Sequence, residues 1–194
     1  MSLLDARLNK PLEGGPSFSV GHRTYRALWR LCWALFAAWT PAPLHRWRNG
    51  WLRLFGAEVH PTARVYGSAR IWYPRNLSLH AHTTIGPGAT LYCMGHMEIG
   101  EKSVISQGAH LCGGTHDIRS PDFQLQVRPV VIGQHAWVAA EAFIGPGVTV
   151  GDGAVIGARA VLMRDAERAT VYAGNPAQRI KHVPERARFQ GEAA

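Results

Sequence analysis

Residues 131–163 read VIGQHAWVAAEAFIGPGVTVGDGAVIGARAVLM. Aliphatic residues recur there at every sixth position, namely Ile132, Val138, Ile144, Val150, Ile156 and Leu162. A period of six matches neither the alternation of a single strand nor one face of a helix with 3.6 residues per turn. It predicts short strands and turns stacked in coils, an all-β parallel solenoid with the aliphatic residues inside.

The same period extends back to Val59 in three earlier blocks, separated by slips of two or more residues. Their members are Val59, Val65, Ile71 and Leu77, then Leu79, Ile85, Leu91 and Met97, then Ile99, Ile105 and Leu111. Three six-residue faces make one 18-residue coil, so Ile132 should stack on Val150, and Val138 on Ile156. The usual rule for parallel crossovers favours a right-handed coil, although the period itself does not determine the hand.

Composition narrows the class of protein. The chain has 194 residues, 46% of them apolar, with 21 Gly and 12 Pro, which suits one domain rich in turns. Its three cysteines, Cys32, Cys93 and Cys112, lack a C-x-x-C spacing, so we expect no disulfide framework, no zinc site and a cytoplasmic location. The net charge of +8 is concentrated in residues 1–60, where aromatic residues interrupt the basic ones, which disfavours nucleic-acid binding.

The N-terminal third differs from the repeat. Residues 1–22 are polar and interrupted by glycine and proline, so we expect a flexible arm. Residues 23–56 predict two helical stretches, Arg23–Trp39 and His45–Phe55, divided by two prolines. The longest apolar run, Leu31–Trp39, is far shorter than the ~20 residues that span a bilayer.

Tryptophan and arginine alternate along these two stretches, and the pattern has two compatible interpretations. The residues are Trp29, Trp33, Trp39, Trp47 and Trp51 with Arg23, Arg26, Arg30, Arg46, Arg48 and Arg53. The first interpretation is a cap that covers the open end of the solenoid. The second is contact with an anionic membrane surface.

The repeat is interrupted for about one coil over residues 112–130, which contain Gly113, Gly114, Pro121 and Pro129. Such an excursion from a regular scaffold is typical of a functional loop. His116 lies in it, and a histidine can accept a proton from a hydroxyl near neutral pH. Asp117 either orients His116 or turns the loop.

These residues resemble a known family. The hexapeptide pattern, ISQGAHLCGGTHD at 105–117 and AGNPAQRIKHV at 173–183 are similar to the hexapeptide-repeat acyltransferases, and LRLFGAEV at 52–59 and WYPRNL at 72–77 to the colanic-acid-biosynthesis type. Maltose, galactoside and nodulation O-acetyltransferases are related. The resemblance implies a left-handed β-helix over 57–168, a coenzyme A turn and tail over 169–194, and a homotrimer with active sites between subunits.

The resemblance also assigns residues by position. His116 matches the general base that deprotonates the acceptor hydroxyl as it attacks acetyl-CoA, so no acyl-enzyme and no metal are needed. Coenzyme A contacts carry over to Ala140, Ala158, Met163, Arg164, Gln178 and Lys181. Some relatives have Thr at the position of Met163, and some have a basic residue at that of Gln178. Trp137 is either coil packing or a wall of the coenzyme A channel, and Cys112 is disfavoured as a nucleophile because direct transfer needs no thiolate.

The expected acceptor is a sugar or lipid-linked saccharide of an exopolysaccharide or lipopolysaccharide precursor, because the Asn and Asp of relatives that use small sugars are missing from IGPGATLYCMGH at 85–96. Peripheral contact with the inner face of the cytoplasmic membrane would suit that acceptor. Two alternatives stay open. One is a non-catalytic scaffold; the other, a zinc enzyme like the γ-type carbonic anhydrases, is disfavoured because no two histidines are five residues apart.

Overall fold

A computed structural model describes residues 3–183, which form a left-handed parallel β-helix preceded by helices. Face 1 contains Glu58–Val59, Leu77–Leu79, Met97–Ile99, Val130–Ile132 and Thr149–Val150. Face 2 contains Arg64–Val65, Thr84–Ile85, Val104–Ile105, Trp137–Val138, Val155–Ile156 and Thr170–Ala173, and Gln178–His182 pairs antiparallel with the last of these. Face 3 contains Arg70–Ile71, Thr90–Tyr92, His110–Cys112, Phe143–Ile144 and Val161–Leu162.

The stacking predicted from the period is confirmed. Ile132 pairs in register with Val150, and Val138 with Ile156. The second residue of nearly every short strand is buried, so the interior is filled by ladders of aliphatic side chains. Small buried residues such as Ala142 and Ala160 lie where the chain turns from one face to the next.

The hand of the coil differs from the general crossover rule. That rule arises where twisted strands are joined by a helix that packs back on the sheet. Here the strands have mostly two or three residues and short turns join them. Neither the twist of long strands nor the packing of a crossover helix therefore imposes a right hand.

Two helices, α2 (Val20–Phe36) and α3 (His45–Leu54), cover the first coil. The Trp29 indole Nε1–H donates to the Ile71 carbonyl oxygen at 2.7 Å, and that of Trp33 to the Gly67 carbonyl oxygen at 3.1 Å. The fully buried Arg48 donates from Nε to the Val65 carbonyl oxygen at 2.6 Å. Helix α2 begins three residues before the predicted start, because the Ser19 hydroxyl accepts a hydrogen bond from the helix's first turn.

Large apolar side chains are exposed on these helices and on the segment that joins them. They are Leu28, Leu31, Leu35, Phe36, Trp39, Leu44, Trp47 and Leu54. Within residues 3–183, no helix combines the length and apolar content needed to cross a membrane.

The arm that precedes α2 is folded in its described part, unlike the flexible arm expected over residues 1–22. It contains a short helix α1 (Ala6–Asn9) and a 3₁₀ turn (Pro11–Glu13). The Ala6 amide donates to the Gln124 side-chain oxygen at 2.7 Å, and Gln124 Nε2 donates to the Leu4 carbonyl oxygen at 3.3 Å. These bonds fix the arm against the loop that carries His116.

Candidate active site

The loop that interrupts the repeat is a β-hairpin. Gly114–His116 pairs antiparallel with Leu125–Val127, and the stack resumes at Val130–Ile132. Gly114 lies tightly against the side chain of Met94 and near the ring of Tyr92, so that a Cβ there would clash with Met94. The base of the hairpin is therefore packed on the β-helix while its tip extends outward.

His116 ends the first strand of this hairpin with an exposed side chain. Its Nδ1 lies 2.9 Å from the Phe123 carbonyl oxygen, and its ring stacks on the Phe123 ring with centroids 4.2 Å apart and planes 11° apart. A carbonyl oxygen only accepts hydrogen bonds, so Nδ1 carries the proton in this contact. In the neutral ring, Nε2 is then unprotonated and can accept a proton from a hydroxyl.

Asp117 turns the loop. Its carboxylate Oδ1 accepts a hydrogen bond from the Arg119 amide at 3.0 Å, and its carbonyl oxygen accepts one from the Ser120 amide at 3.1 Å. The hydrogen-bond partner of the His116 ring is instead a backbone carbonyl. Of the two roles considered for Asp117, the structure displays the loop turn.

Ala140 and Ala158 occupy equivalent places, one coil apart, on the corner between faces 2 and 3. The Ala140 carbonyl accepts a hydrogen bond from the Arg159 amide at 2.9 Å. Within residues 3–183 the amides of Ala140 and Ala158 themselves donate to no acceptor. Exposed amide groups next to small side chains can bind the amide carbonyls of an extended ligand or the oxygen of a thioester.

The Gly174–Ala177 turn continues this corner one coil further. The Val161 amide donates to the Gly174 carbonyl oxygen at 3.0 Å, and the Ala177 amide to the Val161 carbonyl oxygen at 2.9 Å. The turn contains a cis peptide bond before Pro176. It leads into the strand that exposes Gln178 and Lys181. Gln178 pairs with Ala173 beside this corner, whereas Lys181 pairs with Val171, which stacks on Val155 further back along face 2.

Met163 and Arg164 lie on a different corner, between faces 3 and 1. Both are exposed, and Met163 covers Gly145 of the coil below. The His116 hairpin leaves face 3 at this same corner, two levels lower, because Leu111, Ile144 and Leu162 stack in register. One chain therefore places His116 and the Ala140–Ala158 corner on opposite edges of face 3.

Two residues of the loop were missed by sequence reasoning. Phe123, with a left-handed φ of 51°, supplies both the carbonyl and the ring that hold His116. Gln124 joins the loop to the N-terminal arm. Neither belongs to the six-residue period, so no pattern marked them.

Trp137 and Cys112 each donate a hydrogen bond. Trp137 is 44% exposed, and its Nε1–H donates to the Ser106 hydroxyl at 2.9 Å. The Cys112 thiol donates to the Gly114 carbonyl oxygen at 3.2 Å. Among residues 3–183, histidine, cysteine and acidic side chains form no group of three or more that could hold a metal ion.

Comparison with known proteins identifies the family. The model described as bacterial transferase hexapeptide (six repeats) matches residues 129–164. A protein of Escherichia coli named as a colanic acid biosynthesis acetyltransferase, WcaF, is 40% identical over 172 residues, which cover 89% of this chain and 91% of that protein.

Two solved structures share the fold. A hexapeptide-repeat acetyltransferase of Vibrio cholerae, solved with acetyl coenzyme A, has a TM-score of 0.77 at 20% identity, covering 94% of this chain and 100% of its own. A maltose O-acetyltransferase of Clostridium difficile has a TM-score of 0.73 at 24% identity, covering 86% of this chain and 90% of its own. These two structures show the fold, and the 40% identity above shows that the chain belongs to the hexapeptide-repeat acetyltransferases of the colanic-acid-biosynthesis type.

Proposed function

We propose that this enzyme transfers an acetyl group from acetyl-CoA to a hydroxyl of a sugar in an exopolysaccharide or lipopolysaccharide precursor. His116 acts as the general base. The observation that carries the proposal is the contact between His116 Nδ1 and the Phe123 carbonyl, which leaves Nε2 as the proton acceptor on an exposed loop.

The reaction needs a single displacement. As Nε2 of His116 takes the proton of the acceptor hydroxyl, the hydroxyl oxygen attacks the thioester carbonyl carbon. The C–S bond then breaks, and the proton passes from His116 to the leaving coenzyme A thiolate. The free amides of Ala140 and Ala158 would bind the pantetheine chain, and backbone amides at this corner could stabilise the oxyanion.

The phosphates of coenzyme A would meet the basic residues near the end of the β-helix. Arg164 and Lys181 are exposed, and within residues 3–183 neither is paired with a carboxylate. Charge-assisted hydrogen bonds from such groups are the usual way to hold phosphate. Gln178 and Met163 lie on different corners of the β-helix, so they would line the path from two neighbouring subunits without contributing charge.

A complete site in this proposal requires two copies of the chain. His116 and the Ala140–Ala158 corner lie on opposite edges of face 3, so the base of one subunit would act on acetyl-CoA held by its neighbour. A ring of three such subunits closes every site. Residues on the outer side of face 3, including Phe143 and Val161, are half-buried and apolar enough to pack against a neighbour.

The acceptor is proposed to be attached to a lipid carrier at the inner face of the cytoplasmic membrane. The exposed apolar side of α2 and α3 supports this, since Leu31, Leu35 and Trp39 could enter the lipid interface beside the arginines of the same helices. The relative from E. coli carries a name that refers to colanic acid biosynthesis.

Thiol release from acetyl-CoA tests the proposal, with lipid-linked saccharides and nucleotide sugars offered as acceptors. Turnover with a saccharide acceptor that disappears in His116→Ala supports it. A protein that fails to bind acetyl-CoA would instead favour the scaffold alternative.

A further inference from the structure

A groove along one side of α2 is lined by arginines. Arg23, Arg26 and Arg30 lie at helical spacing on that side, and with Phe18 they border a cavity of about 730 Å³ between the helix and the N-terminal arm. We call this cavity the arginine groove. Among the residues that the structure describes, no carboxylate forms an ion pair with any of these three arginines.

Arg26 is held at the wall of this groove without a polar partner. Its guanidinium carbon lies 4.0 Å from the centroid of the Trp72 ring and 5.7 Å from that of Phe18. Its Nε atom is buried and has no hydrogen-bond partner within residues 3–183. Burial, and secondarily the neighbouring Arg30, lower the pKa of Arg26 from its usual value. A buried cationic donor beside other cations is stabilised when an anion binds.

A second cavity, of about 400 Å³, continues from the first. It is lined mainly by apolar and aromatic residues, including Trp33, Ala34 and Ala38. Its charged members are Arg70 and Arg30, and Arg30 borders both cavities. We call it the apolar groove. It runs between α2 and face 3. A ligand that filled both cavities would carry negative charge at one end and hydrocarbon at the other.

The grooves also adjoin the loop that carries His116. Trp72 contacts the Arg26 guanidinium on one side and the Tyr92 ring on the other, with Trp72 and Tyr92 centroids 5.2 Å apart. Tyr92 lies next to Gly114, two residues before His116 in the same strand. Trp72 and Tyr92 also line the apolar groove, so this is the groove that lies next to the hairpin.

We propose that the arginine groove binds the phosphate or diphosphate that joins the acceptor sugar to a prenyl-type lipid, and that the apolar groove holds the first part of that lipid. This rests on the proposed function, because it names the acceptor as a lipid-linked phosphosugar. Arg23, Arg26 and Arg30 supply the charge-assisted hydrogen bonds, and Trp33 with the alanines supplies the apolar contact.

Direct binding to farnesyl diphosphate, measured by calorimetry on the full chain, tests this site without any turnover. Farnesol and inorganic diphosphate serve as the apolar and the anionic fragment. We expect farnesyl diphosphate to bind at least about tenfold more tightly than either fragment, and Arg26→Gln and Arg30→Gln each to weaken it about tenfold or more. Arg64→Gln removes the same charge from an exposed site on face 2 and should change affinity less than about twofold.

Vesicles of phosphatidylglycerol distinguish a bilayer headgroup from this ligand. The inference predicts that Arg30→Gln and Arg64→Gln bind vesicles equally. It is overturned if farnesol binds as tightly as farnesyl diphosphate, if Arg30→Gln binds farnesyl diphosphate as tightly as Arg64→Gln does, or if Arg30→Gln alone loses vesicle binding. Arg30 is exposed, so Arg30→Gln should fold. If Arg26→Gln does not fold, Arg26→Lys replaces it in the test, because lysine keeps the charge over Trp72. His116-dependent thiol release tests the proposed function separately. A failure to bind farnesyl diphosphate would therefore overturn this inference without overturning the proposed function.

Discussion

The Nδ1 atom of His116 lies 2.9 Å from the backbone carbonyl oxygen of Phe123, seven residues along the same hairpin. The two rings also stack with their centroids 4.2 Å apart, so both a hydrogen bond and ring stacking hold the imidazole. A carboxylate is the frequent partner of a catalytic histidine, but here a main-chain carbonyl fixes the tautomer. Substitution of nearby acids should therefore affect catalysis little.

Asp117→Asn tests that consequence. An asparagine side-chain oxygen can also accept the hydrogen bond from the Arg119 amide, so the loop turn should persist. We expect turnover within about threefold of wild type, because the change removes a charge that does not contact His116. A loss of a hundredfold, with acetyl-CoA affinity unchanged, would mean that Asp117 acts in the chemistry.

The positions of His116 and Ala158 on opposite edges of face 3 predict complementation between subunits. His116→Ala removes the base, and Ala158→Trp blocks the donor corner, so each variant should be inactive alone. If the subunits assemble as the proposed trimer, unfolding both variants together and refolding them as mixed trimers should restore about a quarter of wild-type activity, since one in four sites receives an intact residue from each neighbour. If the two residues act within one chain, no activity should return.

Trp29 and Trp39 offer a matched pair for the docking of α2. Both indole N–H groups donate to a backbone carbonyl at 2.7 Å, but Trp29 is 1% exposed and Trp39 is 72% exposed. Trp29→Phe leaves the buried Ile71 carbonyl without its donor and should lower the free energy of unfolding by about 1–3 kcal/mol. Trp39→Phe should change it by less than about 0.5 kcal/mol. Equal losses in urea denaturation would show that α2 is not docked through Trp29.

His22 predicts a pH dependence of stability. Burial, and secondarily Arg26, lower its pKa below the usual 6.5, and its ring stacks between Phe18 and Tyr73 with both nitrogens unpaired. The unfolded chain then binds a proton at His22 more readily than the folded chain does. The contribution of the neutral ring to the free energy of unfolding is therefore complete above the His22 pKa of the unfolded chain and is lost as the pH falls from there through the lower pKa of the folded chain.

His22→Phe should therefore retain more of its pH 7 melting temperature at pH 5.5 than wild type does. Burial lowers the pKa of His45 and His110 as well, so some acid sensitivity should persist in the variant. Substitution of the exposed His60 by Gln is the control and should melt like wild type at both pH values. An unchanged pH profile in His22→Phe would contradict the burial of a neutral ring.

The sequence predicts the periodic part of this molecule well, because a ladder such as Ile132 on Val150 repeats one local rule in every coil. The interruption of that rule also singles out His116 as a candidate, and its catalytic role stays a prediction. The contacts made by the loop that interrupts the repeat do not recur from coil to coil. Ala6 and Gln124 are 118 residues apart, and their hydrogen bond leaves no periodic trace in the sequence. The folded arm, the support of His116 by Phe123 and the groove beside Arg26 all arise from such single tertiary contacts.

The measurement that tests the central claim most directly is the rate of acetyl transfer by His116→Ala, compared with Asp117→Asn, on a lipid-linked saccharide acceptor. Acetyl-CoA affinity is determined for both, to separate binding from chemistry. The account predicts a loss of at least about a hundredfold in kcat for His116→Ala, the size expected for a general base, with acetyl-CoA affinity retained. Wild-type turnover in His116→Ala would contradict it.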